Sequence, residues 1–150
     1  MVVSCSSMGI KGLESFVVTI EADLSGGFHA FEMVGLPDTA VKESRDRVRS
    51  AMMNCGFEFP DQRITVNLAP ADIKKEGPLY DLPIMVSLLL ATRQLNADIR
   101  DCAFIGELSL GGEVRKVNGV LPMAIKAKEM GIKKLFVPYE NAFEGAVVKD

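Results

Sequence analysis

The segment KKEGPLYDLPIMVSLLL, residues 74–90, combines side chains that could do chemistry with a rigid place to hold them. Gly77–Pro78 forms a corner, Asp81 follows it, and a long apolar run begins at once. A side chain held at the start of a buried helix is well placed for catalysis, because a rigid element fixes its position. The residue at the corner is Leu79, however, whose aliphatic side chain can neither attack a substrate nor transfer a proton.

The polar neighbours of this corner have structural interpretations. Tyr80 beside a helix start is typical of packing, although its hydroxyl could donate a proton. Asp81 is interpreted as a carboxylate that stabilises the N-terminus of the helix. Lys74 and Lys75 are interpreted as solvated loop charges, with contact to a phosphate or an acidic partner as the alternative. The segment thus has the layout of a catalytic corner without its reactive group.

A second group of polar residues forms a small basic stripe. Lys42, Arg45 and Arg49 fall within about 60° of one another on one face of a predicted helix, at about 100° per residue. Glu43 and Asp46 interrupt the surrounding surface, so a solvated helix face is one interpretation. The alternative is a DNA-binding surface in which the three cations contact phosphates.

Length and composition limit the classes of protein to consider. The chain has 150 residues, is 48% hydrophobic and carries a formal net charge of -3. This length is sufficient for one domain with a core, and the charge excludes a broadly basic surface. We find no run of about 18 apolar residues and no signal peptide, so the sequence predicts a cytoplasmic protein without a membrane partner.

The cysteines do not suggest a metal site or a disulfide. Cys5, Cys55 and Cys102 are widely separated, no C-x-x-C pair occurs, and His29 is the single histidine. We interpret the three cysteines as small buried hydrophobic residues. The sequence therefore predicts no metal and no cofactor in this chain.

Alternating hydrophobic and polar residues predict a series of β-strands. The alternation is clearest in ESFVVTIEADLS and RITVNLAP, and further strands are predicted in SCSSMGI, FHAFEMVGL and KKLFVP. The segment CAFIGELSLGGEVRKV is typical of a hairpin whose turn is Gly111–Gly112.

The first predicted helix begins at Asp38, an N-cap residue, and stops at Gly56. Apolar residues recur at helical spacing along it and form a single face, which distinguishes it from a uniformly buried helix. The residues of that face are Val41, Val48, Met52 and Cys55.

Three further helices are predicted downstream. The first of them runs from Asp81 through Leu95 and should be the most buried, because almost every position is apolar. The next is capped by Asn118 and ends at Gly131. A weak capping box, formed by Asn141 and Glu144, predicts a short last helix.

Together these elements predict an α/β (α+β) fold in which a mixed sheet packs against helices, as one domain over residues 1–150. The closing segment VVKD has the composition of a strand that is not completed. The domain is therefore predicted to stop before its last strand and helix.

Two long segments resemble the N-terminal domain of the magnesium chelatase-like AAA+ ATPases of the ComM and YifB type. They are MVGLPDTAVKESRDRVRSAMMNCGFEFPDQRITVNLAPADIKKEGPLYDLPI and FIGELSLGGEVRKVNGVLPMAIKAKEMG. The resemblance continues into VPYEN and covers the chain from Gly12 onward. It implies a fold like the proteolytic domain of Lon, and an AAA+ module that this chain does not contain. ATP and Mg would bind in that module, since the chain has no G-x-x-x-x-G-K-[ST] motif.

The resemblance also identifies the missing catalytic groups. In Lon-type peptidases the corner supplies a nucleophilic hydroxyl, and a later segment supplies a lysine base. The corresponding positions here are Leu79 and Leu121. The reaction needs both a hydroxyl and an amine of lowered pKa, so we expect a degenerate dyad. A Ser/Lys peptidase is accordingly a disfavoured alternative.

By this resemblance the intact protein would be a bacterial, ring-forming ATPase that acts on DNA during uptake and recombination. The domain would be non-catalytic and would support assembly of the homo-oligomeric ring or passage of DNA. A subunit of a true magnesium chelatase is the remaining alternative, although no residue of this chain supports it.

Overall fold

The structure, a computed structural model, describes residues 2–146. Its strands are β1 (Val2–Lys11), β2 (Glu14–Ser25), β3 (Ala30–Val34), β4 (Arg63–Ala69), β5 (Cys102–Phe104), β6 (Glu107–Leu108), β7 (Val114–Arg115) and β8 (Lys134–Phe136). Its helices are α1 (Thr39–Lys42), α2 (Ser44–Asn54), α3 (Asp81–Ala91), α4 (Val120–Glu129) and α5 (Ala142–Ala146). Short 3-10 helices cover Pro78–Tyr80 and Tyr139–Asn141.

Most of the strands belong to one mixed sheet with the order β3-β4-β2-β1-β5-β8. β1 pairs with β2, and β2 with β4, in antiparallel orientation. β3 is parallel to β4, β5 is parallel to β1, and β8 is parallel to β5. β6 and β7 form a separate antiparallel hairpin. The predicted fold class, a mixed sheet packed against helices, is confirmed.

Helices cover both faces of the sheet. On one face Ile20 of β2 and Val66 of β4 are buried in a cluster with residues of α2 and α3. On the other face Met8 of β1 is buried against Met123 of α4. Because successive residues of a strand point to opposite faces, the alternation in the sequence assigns each apolar side chain to one of these two layers.

The uniformly apolar helix is buried as predicted. Nine of the eleven residues of α3 are buried, and Leu88 has no exposed surface. The helix ends at Ala91 rather than Leu95, because the Thr92 hydroxyl bonds the carbonyl of Leu88 at 2.8 Å and Arg93 takes a left-handed φ of 59°. A side-chain hydroxyl that bonds a carbonyl one turn earlier is common where a helix terminates or bends.

The predicted helix over residues 38–56 is interrupted. The N-cap prediction is confirmed, since the Asp38 carboxylate accepts a hydrogen bond from the Val41 N–H at 2.8 Å. At Glu43, however, the chain leaves α-helical geometry between α1 and α2. The N–H of Asp46 lies 3.1 Å from the carbonyl of Glu43, whereas the N–H of Arg47 lies 3.5 Å from it. The turn is therefore tighter than an α-helix, as in a 3-10 segment.

The predicted N-cap of α4 is wrong by one position. The residue that precedes the helix is Gly119, with a left-handed φ of 83°, and Asn118 makes no capping bond. A Cβ at Gly119 would lie 2.2 Å from Cδ1 of Ile10, so the chain passes too close to β1 for a side chain. Close approach and positive φ, rather than side-chain capping, define this helix start.

Two other local predictions need correction. Cys102–Phe104 is β5 of the main sheet, so the hairpin around Gly111–Gly112 is limited to β6 and β7. The Asn141 side chain does not form a capping box. It bonds the backbone N–H and carbonyl of Val117, both at 2.9 Å, and donates to Glu144 Oε1 at 2.9 Å. Asn141 therefore ties the last helix to the segment before α4.

Only one of the three cysteines is fully buried, which corrects the prediction that all of them are. Cys5 is buried, Cys102 is half-buried and Cys55 is exposed. Burial raises the pKa of the Cys5 thiol to about 12. Cys55 directly follows the last turn of α2, where the apolar stripe reaches the surface.

We predict a large difference in thiol reactivity within the chain. At pH 8 about one Cys5 side chain in ten thousand is a thiolate, and burial also excludes the reagent. In iodoacetamide labelling followed by mass spectrometry, Cys55 should react at least about 100-fold faster than Cys5. Unfolding in urea should bring the two rates together, whereas equal rates in the folded protein would contradict the buried position of Cys5.

The predicted strand at VVKD lies outside the described residues. Within residues 2–146, no helix is long and apolar enough to cross a membrane.

Candidate functional site

The corner at residues 77–79 has the backbone geometry of a rigid turn into a helix. Gly77 takes a φ of 88°, which favours glycine, and its N–H donates to Asp38 Oδ2 at 3.2 Å. Pro78 begins the 3-10 helix, which runs directly into α3. The corner is therefore held by Asp38 on one side and by the most buried helix on the other.

Leu79 uses this corner for packing. Its half-buried side chain contacts the apolar clusters on both faces of the sheet. It also lines a groove of about 400 Å³ that includes Lys116, Gly119 and Met123. The structure thus brings Leu79 next to the start of α4, but Leu121 is not among the residues that line the groove. Leu121 is 39% exposed on α4.

The described lining of the groove contains charged groups but no hydroxyl of serine or threonine and no thiol. Glu76, Glu107 and Lys116 line it together with apolar side chains. None of the described residues that line it is a serine, threonine or cysteine. A peptidase of the serine, threonine or cysteine type requires a hydroxyl or thiol within reach of a base, and the described lining of this groove supplies neither.

Asp81 lies just beyond the corner and is the centre of a buried polar network. Its carboxylate has no exposed surface and accepts Arg47 Nε at 2.6 Å and the Leu108 N–H at 3.0 Å. The Ser44 hydroxyl donates to its second oxygen. Asp81 does occupy the first turn of α3, as predicted, but its partners are side chains and backbone from α2 and β6. The network joins three elements beneath the corner.

Lys75 is buried, which corrects its interpretation as a solvated charge. Its ammonium group donates to the carbonyl of Gly35 at 2.8 Å and to the carbonyl of Pro70. Burial lowers the pKa of Lys75. The backbone of Lys75 also bonds Leu36 O and Asp38 N–H, each at 2.9 Å. Lys74 is exposed as predicted and lies 3.9 Å from Glu76.

Sequence reasoning missed Ser44, Arg47 and Lys75 as structural residues. A signal for Ser44 existed, since it falls between Val41 and Val48 at helical spacing and so shares their buried face. The sequence carries no comparable signal for Lys75, because its partners are backbone carbonyls, one in its own loop at Pro70 and one 40 residues away at Gly35.

The three cations of the basic stripe are exposed but differently placed. Lys42 belongs to α1, whereas Arg45 and Arg49 project from α2 beyond the break at Glu43. Arg45 lies 3.6 Å from Asp46. The two arginines line a groove of about 750 Å³ between α2, β3 and residues 57–62, and Lys42 does not.

That groove has an aromatic floor and several carboxylates. Phe31 and Phe59 stack with ring centroids 6.3 Å apart, and the Arg49 guanidinium lies 5.9 Å from the centroid of Phe59. Asp46, Glu58 and Asp61 also line it, and His29 contacts Asp61. The groove is therefore amphipathic rather than uniformly basic, and we refer to it as the α2–β3 groove.

The glycine-rich turn does not fit a nucleotide. Gly111–Gly112 closes the β6–β7 hairpin, and a Cβ at Gly112 would lie 2.2 Å from the sulfur of Cys55. These glycines permit close packing on α2, and no free cradle of N–H groups precedes a helix there. Across residues 2–146 no three His, Cys, Asp or Glu side chains are grouped as metal ligands.

These features define a mixed α/β domain: a sheet between helices, with a glycine-proline corner that carries leucine rather than a hydroxyl or thiol. Residues 20–141 match the family described as Subunit ChlI of Mg-chelatase, and the chain belongs to that family. The chain is 47% identical over 151 residues to competence protein ComM of Haemophilus influenzae, covering 100% of this chain and 29% of that protein. It is 48% identical over 138 residues to protein YifB of Salmonella typhimurium, covering 91% of this chain and 27% of that protein.

A weaker similarity links the chain to Lon proteases. It is 32% identical over 101 residues to Lon protease 2 of Bacillus subtilis, covering 67% of this chain and 18% of that protein. The chain thus spans less than a third of the length of each of these relatives. This similarity agrees with the predicted Lon-like fold.

Proposed function

We propose that the chain is a non-catalytic domain of a cytoplasmic, ComM-type AAA+ ATPase, in which it supports assembly of a homo-oligomeric ring that acts on DNA. The observation that carries this proposal is the leucine at the tip of the glycine-proline corner. A fold related to Lon proteases keeps the rigid turn into α3, but packs the aliphatic Leu79 into the core at its tip. ATP and Mg would bind to an AAA+ module elsewhere in the protein. Gly111–Gly112 forms the turn of a hairpin that packs on α2 and is not a phosphate-binding loop.

A peptidase role is disfavoured because the described residues of the corner groove supply no hydroxyl or thiol nucleophile. We predict that the protein does not degrade casein, with turnover equal to that of a preparation lacking the protein. Turnover above that of the preparation lacking the protein would contradict the proposed non-catalytic role.

A chelatase role is the second candidate, and the family description favours it by name. The two roles differ in what stimulates ATP hydrolysis by the full-length protein. Stimulation by DNA and not by porphyrin supports the ComM-type role. Stimulation by porphyrin with Mg²⁺, and not by DNA, would replace it with metal insertion.

DNA contact through Lys42, Arg45 and Arg49 is a further part of the proposal. About three phosphate contacts per domain give a log-log salt slope of about -2 to -3, so one domain would bind weakly and a ring would bind through avidity. We predict that Arg45→Ala and Arg49→Ala each reduce DNA affinity of the full-length assembly and make the slope shallower by about one. Arg93→Ala, an exposed arginine beyond the end of α3, is the matched control. Unchanged affinity and slope in both stripe variants would place the DNA path elsewhere.

A further inference from the structure

Cys5 and Cys102 lie side by side in the sheet, although they are far apart in the sequence. β1 and β5 are parallel, and their register pairs Ser6 with Ala103. A cysteine precedes each of these two residues, so the same register places Cys5 beside Cys102. Paired residues of neighbouring strands point to the same face of the sheet. Both thiols therefore lie on the face where residues of α3 pack.

The surroundings of the two thiols agree with this placement. Cys5 is buried in an apolar cluster with Val86 of α3 and Phe104 of β5, and Cys102 packs against the same cluster. Burial raises the pKa of the Cys5 thiol to about 12, and the charge of the neighbouring Cys102 adds to the increase. The two sulfur groups are thus close enough to interact, whereas Cys55 is exposed at the end of α2.

The distance between the strands fits a disulfide. Neighbouring strands are about 4.8 Å apart, and disulfides usually join Cα atoms that are about 4.4–6.8 Å apart. The Cβ atoms must approach to about 4 Å, so the bond draws the two strands slightly together. β5 has three residues and pairs with β1 through Ser6 and Ala103. A strand this short is able to move toward β1 without disturbing the rest of the sheet.

We propose that Cys5 and Cys102 form a redox-sensitive pair, which a peroxide oxidises to a disulfide that joins β5 to β1. Cys102 reacts first, because it is half-buried and reachable from solvent, whereas Cys5 is not. The Cys102 thiolate attacks one oxygen of hydrogen peroxide, the O–O bond breaks and hydroxide leaves. Cys102 is then a sulfenic acid, which is the first and reversible stage of cysteine oxidation.

The second step is internal to the protein. The Cys5 sulfur attacks the Cys102 sulfur, the S–O bond breaks, and the hydroxyl group leaves as water with the proton that the Cys5 thiol loses. Overall, two thiols lose two electrons and two protons, and one peroxide becomes two water molecules. Few Cys5 side chains are thiolates at neutral pH, but oriented groups in one molecule can reach effective concentrations above about 10⁵ M. The buried thiol therefore needs no reactivity toward external reagents.

The disulfide is a reversible state in a reducing compartment. Intracellular disulfides are usually transient and report oxidation, since glutathione and thioredoxin return them to thiols. In this chain the bond ties the edge unit of β5 and β8 to the four strands that precede it in the sequence. The oxidised form should therefore differ from the reduced form in the mobility of β5 rather than in its fold.

The test treats the full-length protein with hydrogen peroxide, blocks the remaining thiols with N-ethylmaleimide and maps the peptides by mass spectrometry. We expect a pair of peptides linked through Cys5 and Cys102, which dithiothreitol separates. Cys55→Ser is the matched control and should form the same link as the wild type. Oxidation of Cys102 to sulfinic acid while Cys5 remains a thiol would overturn the proposal, and so would a link from either residue to Cys55.

A second readout follows the intermediate and the effect of the bond. In Cys5→Ser the sulfenic acid of Cys102 has no partner, so its labelling by dimedone should rise at least about tenfold above the wild type. In the wild type, oxidation should slow amide hydrogen exchange in β5 about tenfold, and the same treatment of Cys5→Ser should not. Equal dimedone labelling, or exchange that oxidation leaves unchanged in the wild type, would overturn the proposal. The peptide map and the exchange of the wild type do not depend on whether the variant folds.

Discussion

Replacing Asp81 with asparagine should lower the free energy of unfolding by about 3 kcal/mol, the lower end of the range for breaking a buried ion pair. The Asp81 carboxylate has no exposed surface, and it accepts Arg47 at 2.6 Å as well as Ser44 and the Leu108 N–H. The amide cannot neutralise the guanidinium, which remains mostly buried. With an m-value of about 2 kcal/mol/M, the urea midpoint should fall by about 1.5 M.

Two comparisons make this result specific to the network. Asp98→Asn removes a carboxylate that binds Arg100 at the surface and should hardly move the midpoint, because water screens that pair. Asp81→Asn combined with Arg47→Met should be less destabilised than the sum of the single changes, since no buried charge is left alone. Strict additivity would show that the ion pair contributes little and that Asp81 acts through its bonds to Ser44 and Leu108.

Replacing Lys75 with methionine should lower the free energy of unfolding by about 2–4 kcal/mol. The methionine fills much of the same volume but leaves the carbonyls of Gly35 and Pro70 without the ammonium donor. Each buried acceptor left unsatisfied costs about 1–3 kcal/mol. Lys74→Met is the matched control, because the neighbouring lysine is exposed. A urea midpoint that is equal in the two variants would contradict the buried role of Lys75.

Lys75 also makes stability depend on pH in a definite direction. Burial lowers the pKa of Lys75 below its ordinary value of 10.5, so in that window the unfolded chain binds more protons than the folded one. Stability therefore rises with pH from the lowered pKa up to 10.5. The raised pKa of Cys5 acts in the opposite direction above about pH 9, so the measurement is the difference in stability between the wild type and Lys75→Met in urea titrations, which should widen with pH in that window. A difference that stays constant across the window would show that the pKa of Lys75 is not lowered.

The sequence predicts the layers of the fold well because they depend on periodicity. Alternation placed Ile64, Val66 and Leu68 on one face of β4, and the uniform apolarity of residues 82–90 identified the most buried helix. These signals are local and follow directly from the repeat of a strand or a helix. The break at Glu43 has no such signal, because it contains no glycine or proline and Lys42, Glu43 and Arg45 are good helix formers.

The site was predictable only in part, for a related reason. Leu79 could be placed at the corner from the Gly77–Pro78 pair that precedes it. The partners of Asp81, and the Gly35 carbonyl that binds Lys75, come from segments about 30 to 40 residues away, so only the three-dimensional structure reveals that both charges are buried. The position of Arg49 against Phe59 likewise depends on how residues 57–62 fold back onto α2.

The order of the strands has a consequence for synthesis on the ribosome. β1, β2, β3 and β4 occupy the first 69 residues and are neighbours in the sheet, so they can pair as soon as they leave the exit tunnel. β5 begins only at Cys102, yet it must add to the free side of β1. That side of β1 remains unpaired while about 30 further residues are synthesised, which takes several seconds at typical elongation rates. The apolar side chains of Met8 and Cys5 lie on the two faces of β1 and stay exposed during this time. The nascent chain at this stage is therefore the form of the protein that we expect to depend most on binding by a chaperone.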